Sequence, residues 1–243
     1  MTKIAVLDLE TTGDDPEDGD VPIEAGIVFL NDAKVHSQWH SLIDPRGRAI
    51  SPVARATHHL SDDQVCMGIR PKLGFWTMMV CDCEYMAAHF AQFDKAFLPE
   101  LADKPWICTY RCALHLYPDA PKHSLQVLRY HLNLKPKLPN KLTPHRALYD
   151  AHCTASLLQH MMLEKGYTAG ELLDLTTAPL LLSQVRFGKH RGTPWADLPM
   201  DYLHWVLRQD FDEDTKHTAR HYIEETRRRQ SSVPEVPEQQ SCG

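Results

Sequence analysis

The chain has 243 residues and a formal net charge of −6, long enough for one sizeable core and a small extra module. The negative balance argues against indiscriminate nucleic-acid binding, although it leaves room for a local basic track. No apolar stretch approaches the ~18 residues of a membrane span, and the first residues lack the basic and apolar regions of a signal peptide, so no membrane partner is expected.

In chain order, Lys3–Leu9 reads as a buried central strand. Ile23–Leu30 and Val35–Ile43 read as two more, joined as a hairpin through Asn31-Asp32-Ala33-Lys34 in an antiparallel meander. Short helices are predicted at Pro52–His58 and at Asp62–Met67, the second capped by Ser61. Pro71–Val80 is a further helix, weakened by Gly74. Glu84–Ala88 is a fourth strand, Phe93–Leu101 a helix, and Trp106–Cys108 a short fifth strand. A helix near Tyr110–Leu116 is ended by Pro118, and Ser124–Leu132 is amphipathic. Arg146–Glu164 is the longest helical pattern, with Leu148, Ala151, Ala155, Leu158 and Met162 on one face. Meander strands followed by alternating strands and helices indicate an α/β fold, a mixed sheet covered by helices. The domain boundaries read as a first domain over residues 1–166, a helical connector over 167–183, a small C-terminal module over 184–226, and a polar, disordered tail over 227–243.

The chemistry-bearing residues fall in three clusters. Asp8-Leu9-Glu10-Thr11-Thr12-Gly13 closes the first strand. Residues i and i+2 of a strand share a face, so Asp8 and Glu10 project together from the end of a buried strand. Two carboxylates at ~4 Å and an effective dielectric of ~20 repel by about 4 kcal/mol, and a fold rarely builds that pair without a cation. His89-Phe90-Ala91-Gln92-Phe93-Asp94 follows the fourth strand, and His145-Arg146-Ala147-Leu148-Tyr149-Asp150 opens the longest helix. Five helical residues rotate about 140°, so His145 and Asp150 share no face within a regular helix. Pro144 supports a loop there, with the helix starting near Arg146 and His145 bending back towards Asp150. Oxygen-only ligands favour a hard cation, Mg²⁺ or Mn²⁺, over zinc.

Two charge runs flank these clusters. Residues 120–149 contain no Asp or Glu yet carry Lys122, Arg129, Lys135, Lys137, Lys141 and Arg146, whereas Asp14, Asp15, Glu17, Asp18 and Asp20 crowd the loop after the first strand. Seven scattered cysteines form no disulfide framework. Neither Cys81-Asp82-Cys83 nor Cys108-Thr109-Tyr110-Arg111-Cys112 has zinc-ribbon spacing. Buried free thiols in a reducing cytoplasm are expected.

Taken together, and in this order, the three motifs resemble the DnaQ-like family of 3′–5′ exonucleases with a histidine in the last motif (the DEDDh group), most of all its exodeoxyribonuclease X-like branch. The resemblance covers most of the chain. It implies a ribonuclease H-like fold, a mixed five-stranded sheet flanked by helices, with the first three strands antiparallel. It implies two Mg²⁺ or Mn²⁺ ions per site, with Asp8 as the bridging ligand and Glu10, Asp94 and Asp150 completing the set. By the same resemblance His145 is the general base, and Thr11, Thr12 and His58 approach the 3′-terminal nucleotide. The implied reaction is hydrolysis from the 3′ end of DNA, on single-stranded 3′ ends, releasing nucleoside monophosphates. An exoribonuclease on the same fold and a non-catalytic nucleic-acid-binding protein are the alternatives, and the second would be marked by a missing motif carboxylate, of which there is none.

One residue departs from the pattern. Relatives read His-Asn-Ala-x-Phe-Asp where this chain has Phe90. Phenylalanine packs or stacks, either on a substrate base or in the core, and its position after a buried strand favours the core. The C-terminal block Arg186-Phe187-Gly188-Lys189-His190-Arg191-Gly192 … Asp197-Leu198-Pro199 … Tyr202-Leu203-His204-Trp205 also resembles that branch. Its two glycines suggest a tight turn displaying Lys189 and Arg191 over a small core of Tyr202, Leu203 and Val206. The turn serves either to hold nucleic acid or as a purely structural hairpin–helix.

Overall fold

The computed structural model describes residues 1–138 and 143–231. The chain divides into two compact units, Met1–Thr177 and Ala178–Gly243. In the first, β1 (Lys3–Thr11), β2 (Pro22–Asn31), β3 (Lys34–Leu42), β4 (Tyr85–Ala88) and β5 (Trp106–Cys108) form one sheet in the order β3-β2-β1-β4-β5. β1–β2 and β2–β3 are antiparallel, while β1–β4 and β4–β5 are parallel. This is the mixed five-stranded sheet that the sequence predicts. The β2–β3 turn uses Asp32 at φ 45° and Ala33 at φ 60°, the two left-handed residues of a tight hairpin turn whose twist matches the strands.

Alternation along β1 divides its side chains between two cores. Ile4 and Val6 join the core under α5 (Thr109–Leu116), α6 (Leu125–His131), α7 (Ala147–Leu163) and α8 (Ala169–Thr177). Ala5, Leu7 and Leu9 join the opposite core, with Trp76 of α3 (Phe75–Met79) and Phe97 of α4 (Ala91–Phe97). Asp8 and Glu10 continue the parity of Ile4 and Val6, so they lie on the α7 side. β1 runs past the end of its pairing with β4, which covers only Ile4–Val6. The carboxyl end of the central strand thus opens into a crevice, where ligands gather in open α/β sheets.

Gly26 sets how closely α7 approaches. A Cβ there would lie 2.4 Å from the Leu148 nitrogen and 2.5 Å from the Ala147 carbonyl carbon. Both are backbone atoms with little room to yield, so the first turn of α7 rests directly on β2, opposite Asp8 in the register.

Several elements differ from expectation. The third helix starts at Phe75 and not Pro71, because Gly74 at φ 81° turns the chain into it. The helix expected over Phe93–Leu101 is α4 from Ala91 to Phe97, followed by a 3₁₀ turn at Pro99–Leu101, since Pro99 has no N–H for the helical ladder. α1 (Pro52–His58) is as predicted, and α2 ends at Val65 (Asp62–Val65) with the Ser61 cap in place.

The second unit is built from 3₁₀ turns at Gly188–His190 and Trp195–Asp197, α9 (Met200–Arg208) and α10 (Glu213–Ser231). Val185, Trp195, Leu203, Val206 and Ala219 form its core, with Tyr202 against them. Gly188 and Gly192, at φ 59° and 86°, flank a turn that exposes Lys189 and Arg191. α10 continues through Ser231, past the expected start of a tail at Arg227. The remainder of that tail, 232–243, and Lys141 lie outside the described residues.

Candidate active site

Asp8 and Glu10 at the end of β1 and Asp150 in the first turn of α7 bring carboxylate oxygens within 4.8 Å of one another. They are the one group of three or more ligand-type side chains among the described residues with that spacing. Asp94 approaches from α4 and is buried. It stands outside the trio, and its Oδ1 accepts from the Leu9 N–H at 3.1 Å, a donor on the stretch of β1 that β4 leaves unpaired. Asp150 is held at both oxygens, by Gln126 Nε2 at 2.8 Å and by the backbone N–H of His145 at 2.8 Å.

Burial and mutual repulsion act on these acids together. Burial, then the charges of Asp94, Glu10 and Asp150, raise the Asp8 carboxyl well above the usual range. Glu10 is pushed up to about 8, first by burial and then by Glu24, Asp150 and Asp94. Asp94 also rises to about 8 through burial, against the opposing pull of its backbone hydrogen bonds. Asp150 rises through burial, moderated by its bonds to His145 and Gln126. Each of these shifts favours the protonated acid, and a hard divalent ion fits the all-oxygen donor set.

Glu24 positions the site and is a residue that the sequence reading missed. It pairs with Glu10 across β1–β2 and is completely buried. Burial raises its pKa, yet three hydrogen-bonding groups, together with the Arg146 charge, more than reverse that and hold it at about 2. Arg146 Nη2 donates at 2.6 Å and Nε at 3.0 Å, His40 Nε2 lies at 2.6 Å, and the Ala147 N–H donates at 3.1 Å. The network ties the start of α7 to the sheet and sets a guanidinium beside the acid cluster. A glutamate inside the apolar run Ile23-Glu24-Ala25-Gly26-Ile27 was the available signal.

The remaining candidates divide. His145 lies outside α7 at φ 62° and is exposed, with Arg146 as the helix cap, as the spacing argument requires. Thr11 and His58 line a cavity of about 500 Å³ together with Glu10. His58 is buried and its Nδ1 accepts the Leu60 N–H at 3.0 Å. Burial lowers the ring's pKa, against the opposing pull of a hydrogen bond with the Thr11 backbone. Thr12 is a correction. It is fully buried, and its hydroxyl donates to Asp20 at 2.9 Å and accepts from the Val21 N–H at 3.0 Å, so it braces the acidic loop and has no surface to offer a substrate. Phe90 is another, being 54% exposed and not in the core. The basic track also shrinks, because Arg146 is bound to Glu24 and Arg129 to the Tyr149 hydroxyl. Lys122, Lys135 and Lys137 remain exposed.

Hard oxygen donors converging at the end of a mixed sheet are the makings of a divalent-metal site suited to phosphate chemistry. The family model described as Exonuclease matches residues 5–158. A second model, described as a putative quorum-sensing-regulated virulence factor, matches residues 164–215. Exodeoxyribonuclease 10 of Escherichia coli strain K12 is 32% identical over 228 residues, 92% of this chain and 100% of that protein. DNA polymerase III PolC-type of Lacticaseibacillus paracasei is 32% identical over 195 residues, which are 75% of this chain and 12% of the polymerase. Exonuclease X, solved in complex with 5′ overhanging duplex DNA, superimposes with a TM-score of 0.63 at 34% identity, covering 72% of this chain and 99% of that one. The nuclease domain of 3′hExo, a DEDDh family member, shares the fold at 18% identity and a TM-score of 0.52, over 67% of this chain and 92% of that one. The chain belongs to the exonuclease family, as its three DnaQ-like motifs imply.

Two outcomes follow from the site. The acids keep protons in the folded chain that the unfolded chain has lost. The stability this confers is complete below the unfolded values near pH ~4 and is lost as the pH rises through about 8. In EDTA the melting temperature should therefore fall between roughly pH 4 and 8, and divalent metal at 100-fold its dissociation constant should restore about 2.7 kcal/mol at the upper end. A melting temperature in EDTA that is flat over this range contradicts the protonated cluster. Removing one partner of the buried pair, by Glu24→Ala, should cost about 3–5 kcal/mol in urea titrations. Glu24→Leu combined with Arg146→Met should recover much of that loss, and strictly additive penalties would contradict the pairing.

Proposed function

We propose that this chain is a divalent-metal-dependent 3′–5′ exodeoxyribonuclease, releasing nucleoside monophosphates from single-stranded 3′ ends of DNA. The observation that carries this reading is the convergence of Asp8, Glu10 and Asp150, with Asp94 against Leu9, on the crevice of a family fold. Similarity over the full length of Exodeoxyribonuclease 10 supports DNA as the substrate. Two Mg²⁺ or Mn²⁺ ions, when bound, supply Lewis acidity to the scissile phosphodiester and to an attacking water. Asp8, Glu10 and Asp150, with Asp94 beside them, would hold them.

His145 accepts the proton of the nucleophilic water. Its exposed position outside α7 leaves the imidazole reachable, while its backbone N–H keeps the loop registered on Asp150. Thr11 and His58 bind the terminal nucleotide in the adjoining cavity that both line. Lys189 and Arg191, exposed on the turn of the second unit, hold nucleic-acid phosphates by charge. No helix among the described residues is long and apolar enough to cross a membrane, in keeping with a cytoplasmic enzyme.

The test uses 5′-labelled DNA and RNA oligomers with and without Mg²⁺ or Mn²⁺. A one-nucleotide ladder that needs metal, and is lost in Asp94→Ala, is the expected result, with DNA cut faster than RNA. His145→Ala should lower kcat about 10²–10⁴-fold while the metal-induced rise in melting temperature persists. A His145→Ala enzyme with normal turnover removes the base, a metal-independent ladder removes the mechanism, and faster cutting of RNA favours the exoribonuclease alternative.

A further inference from the structure

Phe90 sits at φ 69°, ψ 47°, the left-handed region that a bulky side chain occupies only under constraint. Burial does not account for it, since the ring is 54% exposed. Such an outlier points to a constraint at this position other than burial of the ring. The ring stands edge-on to Tyr110, with centroids 5.6 Å apart. Both border a cleft of about 520 Å³ framed by α4, α5 and α8. Its lining includes Lys95, Lys104 and Arg111 and no carboxylate, so a cation is the wrong occupant and an anion with a flat apolar part is the right one. Lys104 donates to the Cys83 carbonyl at 2.7 Å, while Lys95 has no ion-pair partner among the described residues.

The cleft adjoins the acid cluster. Gln92 and Lys95 of α4 line it, while Phe93 lines the His58 cavity and Asp94 reaches β1. One helix, on the order of 10 Å across, therefore separates the two places, which is within the span of neighbouring nucleotides.

We propose that this cleft binds a second nucleotide of the substrate, its base stacked on Phe90 beside Tyr110 and its phosphate drawn to Lys95. The proposal rests on the nuclease reading above and adds a subsite to it. A nucleotide could come from the strand being degraded or from its complement, and the experiment separates the two.

Wild type, Phe90→Ala, Phe90→Gly and Lys95→Ala are compared on a DNA oligonucleotide and on thymidine 5′-(4-nitrophenyl phosphate), which carries one nucleotide. Loss of a stacked base should raise the oligonucleotide KM by about 5- to 150-fold, with kcat affected far less, and the loss of kcat/KM should exceed that on the nitrophenyl ester at least fivefold. Phe90→Gly should melt no lower than wild type, because glycine takes the left-handed conformation freely, so the effect cannot be assigned to misfolding. In EDTA, 2-aminopurine set at successive positions of either strand should be quenched at one of them by wild type and not by Phe90→Ala, which identifies the strand. An unaltered KM, an equal loss on both substrates, or no quenched position overturns the subsite. Quenching by a wild-type protein that degrades nothing supports the subsite and sinks the nuclease reading instead.

Discussion

Negative charge packed into a buried pocket is the constraint around which this molecule is arranged. Asp8, Glu10 and Asp150 share a space of less than 5 Å, and Asp94 and Glu24 add their fields. At an effective dielectric of ~20 each close pair repels by about 4 kcal/mol, a large fraction of the roughly 5–15 kcal/mol by which a domain is stable. Burial and this repulsion raise the carboxyls of Asp8, Glu10, Asp94 and Asp150 above their ordinary range. The same arrangement is ready to exchange protons for a hard ion.

Holding the acids together takes contributions from segments far apart in sequence. Gly26 admits the first turn of α7 onto β2, so Asp150 reaches the end of β1. Glu24 then fastens that turn through Arg146, 122 residues away, and stays ionised because three groups donate to it or face it. The two glutamates opposite each other across β1–β2 therefore have contrary fates. Glu24 is held as an anion by partners in the protein, whereas burial and its acidic neighbours push Glu10 up to about 8. On the other flank, Asp94 is steadied by a backbone N–H that the sheet leaves unpaired.

Much of this was legible in the sequence, for local reasons. Strand parity put Asp8 and Glu10 on one face, the 140° offset put His145 outside the helix, and the Asn31–Lys34 segment carried its own turn chemistry. What was not legible depends on tertiary contact. Arg129 and Arg146 look like part of a basic track until their partners Tyr149 and Glu24 arrive from elsewhere. Thr12 looks like a second substrate contact until Asp20 folds back onto it. Phe90 looks like core because it follows a buried strand, but a single left-handed residue turns the chain and carries the ring outward. Gln126, which holds one oxygen of Asp150, sits on an amphipathic helix whose sequence says nothing of its target.

The measurement that bears most directly on the protonated cluster is calorimetry of Mn²⁺ binding near pH 7 in buffers of different ionisation enthalpy, which counts protons released as metal enters. Carboxylates pushed up to about 8 should release at least one proton per chain, and the release should diminish in Asp8→Asn. Metal binding with no proton release would contradict the account, since the acids would then already be ionised and something other than protons would be holding the pocket together.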